Sequence, residues 1–506
     1  MQTLQEQPGQ APVRPHRRGF TAAAAILSVL AAAAVAAAAF LAVPILREAS
    51  SFAHTKVVLY DGPKTMKTSK NASVTVDGRP LFVYDTAVNN GHTWVASGKP
   101  ELSSTPVAYF DFQGKVRVAV TMPFDVKSCA LSPLAEKIST HINGRTVTFD
   151  LTKSGDYTLQ FNGSPEHALH LFANPPETNV PDKNDPNVLY VGPGEWNIDT
   201  INVQSGQTLY IAGGAVVHGT VIASKAQNVT IRGRGIIDGS KYDGWMVSGS
   251  ARIPLDLEQD SNVNVEGILL LDPNAWTFQA YESSGVTVKN IKIVSARPNG
   301  DGISLQSCQN VMVSDSFVRT WDDSLVVKNY GSDSVGINFK NMMVWTDLAQ
   351  SCEIGYETNK GQEADSTIMD VNFDGIDVVN NFHKPVIGIH NSDDCLIQNI
   401  HYNGVTVENA QMGGGDAGAN NQLIDIGVLF SQWSSTQERG NIRDVTIENV
   451  NVLGGKFCPS RIEGYDATHT VEGVTVRNLS ILGKKITSAS AGKFLLNNYV
   501  KNVSFQ

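Results

Sequence analysis

Three carboxylates set the first question. Asp301 lies in "PNGDGISLQ", and Asp322 and Asp323 lie in "TWDDSLVVK", 21 and 22 residues further on, each time ahead of a short apolar run. Asp-Gly and Asp-Asp are ordinary turn residues, and three carboxylates can also hold a calcium ion. Brought to one spot, however, like charges repel and proton affinity rises. That is the arrangement a hydrolase needs: one carboxylic acid to protonate a leaving oxygen, and carboxylates to activate water. The choice depends on whether the surrounding elements bring the three together.

After Asn187 the chain is repetitive. "NVTIRGRGIIDG" at Asn228, "NVNVEGILLLDP" at Asn262, "GVTVKNIKIVSA" at Gly285 and "NVMVSDSFVRTW" at Asn310 share one pattern, which returns at Gly336, Asp370, Asp444 and Gly473. Each copy reads as two short β-branched strands around a polar kink, with no amphipathic stretch long enough for a crossover helix. Successive coils of strands and turns build a right-handed parallel β-helix, with neighbouring coils at the ordinary strand spacing of roughly 4.8 Å. A further strand precedes each anchor: "PLDLEQ", "TFQAYE", "DGISLQ", "DDSLVVK", "EIGYET", "VIGIHN". These strands form one parallel sheet, so Asp301 and the Asp322–Asp323 pair open two adjacent strands one coil apart. Stacking then gathers all three.

Upstream, residues 54–173 alternate with period two and break at Asp-Gly, Gln-Gly and Asn-Gly, the pattern of antiparallel strands in a β-sandwich. Residues 174–187, rich in Pro, Asn and Asp, read as a linker, and residues 188–506 as the catalytic β-helix domain. The fold class is therefore all-β: an N-terminal β-sandwich followed by a right-handed parallel β-helix. Residues 1–53 stand apart. "RPHRRGF" precedes an uncharged apolar run of 26 residues, long enough for a signal anchor in the membrane. Arg17-Arg18 also resembles a twin-arginine export motif, with a small-x-small cleavage site at Ser51–Ala53. Both readings place the body of the chain outside the cytoplasm, secreted or tethered to the outer face of the membrane.

The formal net charge is −10, and the acidic body argues against nucleic acid and against a polyanionic substrate. Five widely spaced cysteines, without a Cys-x-x-Cys, argue against a zinc site and leave one or two disulfides open. No cofactor and no metal are expected.

"NGDG" followed by "WDDSLVVK" on a parallel β-helix resembles the catalytic strands of the clan of inverting glycosidases that holds family 28 (polygalacturonases) and family 49 (dextranase, isopullulanase). The resemblance covers roughly residues 185–480. It implies that Asp322 is the general acid, that Asp301 and Asp323 position and deprotonate water, and that acid and base stand about 6.5–9.5 Å apart. The pectinase pattern adds a Gly-His-Gly and an Arg-Ile-Lys in later coils. Here those stretches read "LAQSCEIGYE" and "KPVIGIHNSDD", with Gln350 near the expected His and no Arg-x-Lys. Glu353 and Glu357 are expected to repel a uronate. The substrate expected is a neutral, α-linked polysaccharide or oligosaccharide, as for a dextranase-like enzyme. A pectin hydrolase, a calcium-dependent lyase and a non-catalytic glycan-binding adhesin are the alternatives. Trp276 and Trp321 are candidates for stacking on sugar, Lys328, Tyr356, Glu357 and His390 for contact with hydroxyls, and Asn299 for orienting Asp301. Each of these has an ordinary packing or turn role as its alternative.

Overall fold

The computed structural model describes residues 55–90, 102–413 and 421–506. The apolar segment within residues 1–53 lies outside the described residues. Among the described residues no helix is long and apolar enough to cross a membrane.

Residues 56–174 form two sheets of six and five strands facing one another. Alternation explains the layering. In Val116–Thr121, Val116, Val118 and Val120 are buried and the residues between them are more exposed, the pattern of a strand with one face on a core. Phe110, Phe112, Phe149, Leu159 and Leu171 fill the space between the sheets. From Pro175 to Asn187 the chain runs without strand, and Val188–Val191 opens the second architecture.

From there to Phe505, thirty strands among the described residues make one winding sheet. A coil such as Phe278–Tyr281, Ser284–Lys289 and Lys292–Val294 lays three strands on three faces, each parallel to its counterpart in the next coil. Val286 and Val288 point into the stack while Thr287 and Lys289 point out, so the valine and isoleucine ladders become a continuous interior. The anchors are kinks. Asn262, Asn290, Asn310 and Asp315 all have φ between 51° and 57°, a left-handed conformation that Asn and Asp tolerate better than other side chains. Their amides stack from coil to coil, as in Asn341 Nδ2 to Asp315 Oδ1 at 3.2 Å and Asn449 Nδ2 to Asn403 Oδ1 at 2.8 Å. Coils at both ends and one between them go unrecognised in the repeat pattern: Thr208–Ile211, Val500–Phe505 and Leu396–Val407. Leu396–Val407 pairs with Thr367–Asn381 on one side and Asn441–Glu448 on the other. Its Asn399 has φ 56°, but Ile, His and Tyr follow where other copies carry valines.

The sandwich seats on one outer face of the β-helix. Tyr84, Val107, Tyr109 and Phe172 pack against Ile236, Leu269, Phe317 and Trp345. Buried ion pairs cross or line this seam: Arg234 Nε to Asp111 at 2.9 Å, Lys292 Nζ to Asp156 at 2.7 Å, and Arg319 Nε to Asp347 at 3.0 Å. The question of disulfides is settled against them. All five cysteines are free thiols, and Cys308, Cys352, Cys395 and Cys458 are buried at separate points of the β-helix.

Candidate active site

Strands Ile303–Gln306 and Leu325–Lys328 run parallel with Ile303 opposite Leu325, which brings Asp301 level with Asp323. Local chemistry fixes both turns. The Thr277 hydroxyl donates to the Asp301 carbonyl at 2.7 Å. Gly302 follows because a Cβ there would collide with the Ser324 carbonyl and with Val318. Around the second turn, Thr320 Oγ1 donates to the Asp322 carbonyl at 2.6 Å. Ser324, Thr346 and Ser351 continue a hydroxyl chain at 2.8 Å per step, closed by Asn381. These are interior polar groups with their partners supplied, so the turn is held in one shape.

The carboxylates themselves are crowded and dry. Asp301 is 3% and Asp323 8% exposed, while Asp322 is the more open of the three. Burial, and then the charge of Asp322 and Glu353, push Asp323 up to about 7 despite Lys328 and Lys384. Burial raises Asp301 well above the ordinary carboxylate range, more than nearby Lys328 lowers it, and the other two aspartates and Glu357 add to the rise. Asp322 is raised by burial too, moderated by Lys384, Lys328 and the N–H groups of Asp323 and Asn299. Three such groups hold protons as a set. Asp323 Oδ1 accepts the Gln350 N–H at 3.0 Å, and Lys328 Nζ stands 3.6 Å from Asp301 and 3.2 Å from Glu357.

The other candidates divide. Trp276 is partly exposed, with Lys328 Nζ 5.6 Å from its ring centroid and Tyr330 edge-on at 6.5 Å, so it borders the site. Asn299 serves Asp322 through its backbone rather than Asp301 through its amide. Tyr356 and Glu357 are partly exposed at the end of the next strand, where Tyr330 also donates to Glu357 at 3.0 Å. Trp321 must be corrected: it is fully buried, its backbone held between Ser295 of the preceding coil and Ala349 of the next, so its ring offers no face to a sugar. His390 is also buried, at 3% exposure, bonded to Glu353 at 2.7 Å and stacked on Tyr356. A sugar does not reach it here. The expected repulsion by Glu353 and Glu357 also fails as stated, since His390 compensates the first and Lys328 the second.

Sequence reasoning missed Lys384, Asp425 and Arg461. Asp425 and Arg461 occupy the same outward register row as Glu353, on Ile424–Val428 and Ser460–Glu463. Aligning "CEIGY", "IGIHN", "IDIGV" and "SRIEG" strand on strand would have found them.

An all-β chain whose β-helix gathers three carboxyls at the head of adjacent parallel strands holds the groups that glycosidic hydrolysis by paired carboxyls requires. Residues 199–413 match the model of glycosyl hydrolases family 28. A probable polygalacturonase of Vitis vinifera is 22% identical over 267 residues, 52% of this chain and 52% of that protein. An exopolygalacturonase of Arabidopsis thaliana is 26% identical over 160 residues, 30% and 37% of the two chains. The chain thus spans about half or less of the curated relatives it matches. Among solved structures, Dex49A from Penicillium minioluteum has the same fold, with a TM-score of 0.63 at 15% identity over 88% of this chain and 96% of that one. The β-helix alone would not supply that coverage, so the likeness takes in the sandwich. These likenesses support a glycoside hydrolase on a parallel β-helix: residues 199–413 resemble family 28, and the fold is that of Dex49A.

Proposed function

We propose that this protein hydrolyses glycosidic bonds of a neutral, α-linked polysaccharide outside the cytoplasm, with inversion at the anomeric carbon. The observation that carries the hydrolytic reading is the set of three raised, buried carboxyls at one spot. Asp322, the most open of them, gives its proton to the glycosidic oxygen as the bond from that oxygen to the anomeric carbon breaks. A water held by Asp301 and Asp323 attacks the opposite face and loses a proton to Asp323, which leaves the cluster with the proton count it began with. Lys328 beside Asp301 favours its ionised form.

Neutral substrate is favoured by the commitment of the nearby cations. Lys328 is engaged by Glu357 and Asp301, Arg461 by Asp425, and His390 by Glu353 and Asp425. A second reading, polygalacturonate hydrolysis, is favoured by the polygalacturonase relatives. The location outside the cytoplasm rests on the N-terminal apolar run and its paired arginines. Reducing-sugar release from dextran, pullulan, other neutral glucans and polygalacturonate tests both readings, with Asp322→Asn as control. Release from a neutral glucan that vanishes in the variant supports the reading. Release from polygalacturonate alone replaces the substrate, and full activity of the variant moves the acid elsewhere.

A further inference from the structure

Beyond the aspartates, the same face carries a second run of charges. Glu353, His390, Asp425 and Arg461 come from four successive parallel strands, Cys352–Tyr356, Ile387–Asn391, Ile424–Val428 and Ser460–Glu463. His390 Nδ1 is 2.7 Å from Glu353 Oε1, and its Nε2 is 3.3 Å from Asp425 Oδ2. Arg461 closes the row on Asp425 with Nε at 2.9 Å and Nη2 at 2.6 Å. Both imidazole nitrogens face carboxylates, so the ring donates twice and carries a charge. Minus, plus, minus, plus: the row sums to zero.

The row is built in, not incidental. A Cβ at Gly388 would collide with Glu353 Oε2 and press on the His390 ring, so the strand between them keeps a glycine where any side chain would expel the glutamate. Tyr356 covers the imidazole at 4.4 Å between ring centroids. Glu353 Oε2 is buried with no hydrogen-bond partner among the described residues. Glu353 pairs in register with Val326, three residues beyond Asp323. The groups facing Asp323 are Asp322 in its own turn, Asp301 in the preceding coil, Lys328 on its own strand, Lys384 ahead of Ile387–Asn391, and Glu353 and Tyr356 on the next strand. Glu353 is thus the end of the row that meets the aspartates.

We infer that Glu353, His390, Asp425 and Arg461 are positioning residues for the hydrolysis proposed above: the net charge of their row, set by the proton held on His390, fixes how readily Asp323 takes up a proton. Burial works against the imidazolium, but Glu353 and Asp425 outweigh it and raise His390 to about 10, so the row stays neutral throughout the working range. The inference rests on the hydrolytic reading, and its test separates the two.

The test is a carbon-13 NMR titration of protein labelled at the aspartate carboxyl carbon, with the Asp323 resonance assigned by its loss in Asp323→Asn. His390→Gln leaves the row at net −1, and Asp323 then titrates about one unit higher; Glu353→Gln leaves it at net +1, and Asp323 titrates about one unit lower. Arg461→Gln, at the more exposed end, repeats the sign of His390→Gln and carries the test should His390→Gln not fold. The acidic limb of the kcat/KM profile moves with the titration while KM holds. Shifts of the same sign, or an unmoved Asp323, overturn the inference, as does lowered activity at every pH without a moved limb. Opposite shifts in a protein that cleaves none of the glycans leave the coupling standing and bring down the hydrolytic reading alone.

Discussion

Two of the regions where this molecule buries charge do so on opposite terms. Where the sandwich meets the β-helix, Arg234 faces Asp111, Lys292 faces Asp156 and Arg319 faces Asp347, one cation to one carboxylate. At the strand heads, Asp301, Asp322 and Asp323 share Lys328 and Lys384. A buried pair gains enough from its Coulomb attraction and hydrogen bonds to offset desolvation, and losing one partner leaves the other uncompensated. A cluster with more carboxylates than cations meets the same desolvation cost with repulsion added, and it stays neutral only by holding protons. Matched charge there is fastening; unmatched charge is a store of protons where bonds can be broken.

The largest effect that sharpens this contrast is catalytic. Asp322→Asn removes the proton donor and keeps the shape, so kcat falls about 10³-fold while the thermal transition stays within a few degrees. Measured on whichever glycan the wild type cleaves, a loss of less than tenfold would take the acid role from Asp322.

Next comes stability at the seam. Arg234→Met strands the Asp111 carboxylate and the Pro175 carbonyl that Arg234 also serves, at a cost of about 3–5 kcal/mol in urea unfolding. Activity per folded molecule is unchanged, because the site lies on another face.

The sign should reverse at the site. Asp323 is raised to about 7 in the folded protein, above the unfolded value of about 3.9. Such a group contributes stability that is fully present below about pH 4 and is lost as pH rises through about 7. Asp323→Asn escapes that loss. It unfolds about 2 kcal/mol less readily than wild type at pH 8, and the gain disappears toward pH 4, even as turnover is abolished. A variant equally destabilised at both pH values would make Asp323 a fastening residue like those of the seam. The rate profile follows from the same cause: a bell with both limbs above the ordinary carboxylate range, since all three aspartates are raised.

What was legible in the sequence follows the same division. The β-helix could be read because its physics is local: a left-handed Asn, then Val-x-Val, repeated. The three aspartates could be read because they open strands one coil apart. The coil at Leu396–Val407 escaped because Ile400 and Tyr402 stand where other copies carry Val-x-Val, with a histidine between them. The burial of Trp321 escaped because it follows the last residue of a strand, in a turn between coils whose direction no local pattern marks. The row from Glu353 to Arg461 escaped for a different reason. Its members lie 37, 35 and 36 residues apart, and loops of unequal content separate them, so only the strand register makes them neighbours.

The smallest effect is that of Trp276, one of two tryptophans that sequence alone treated alike. Trp321 is fully buried and Trp276 partly exposed beside Lys328. Trp276→Ala removes an aromatic face from the edge of the site without opening the interior. It should raise KM about fivefold, or about 1 kcal/mol, and leave kcat and unfolding nearly unchanged. Trp321→Ala instead leaves a cavity under the acid pair and costs about 3–5 kcal/mol in stability. Substrate affinity lost in Trp321→Ala at full stability, with Trp276→Ala silent, would reverse the assignment and place the sugar on the sandwich side of the aspartates.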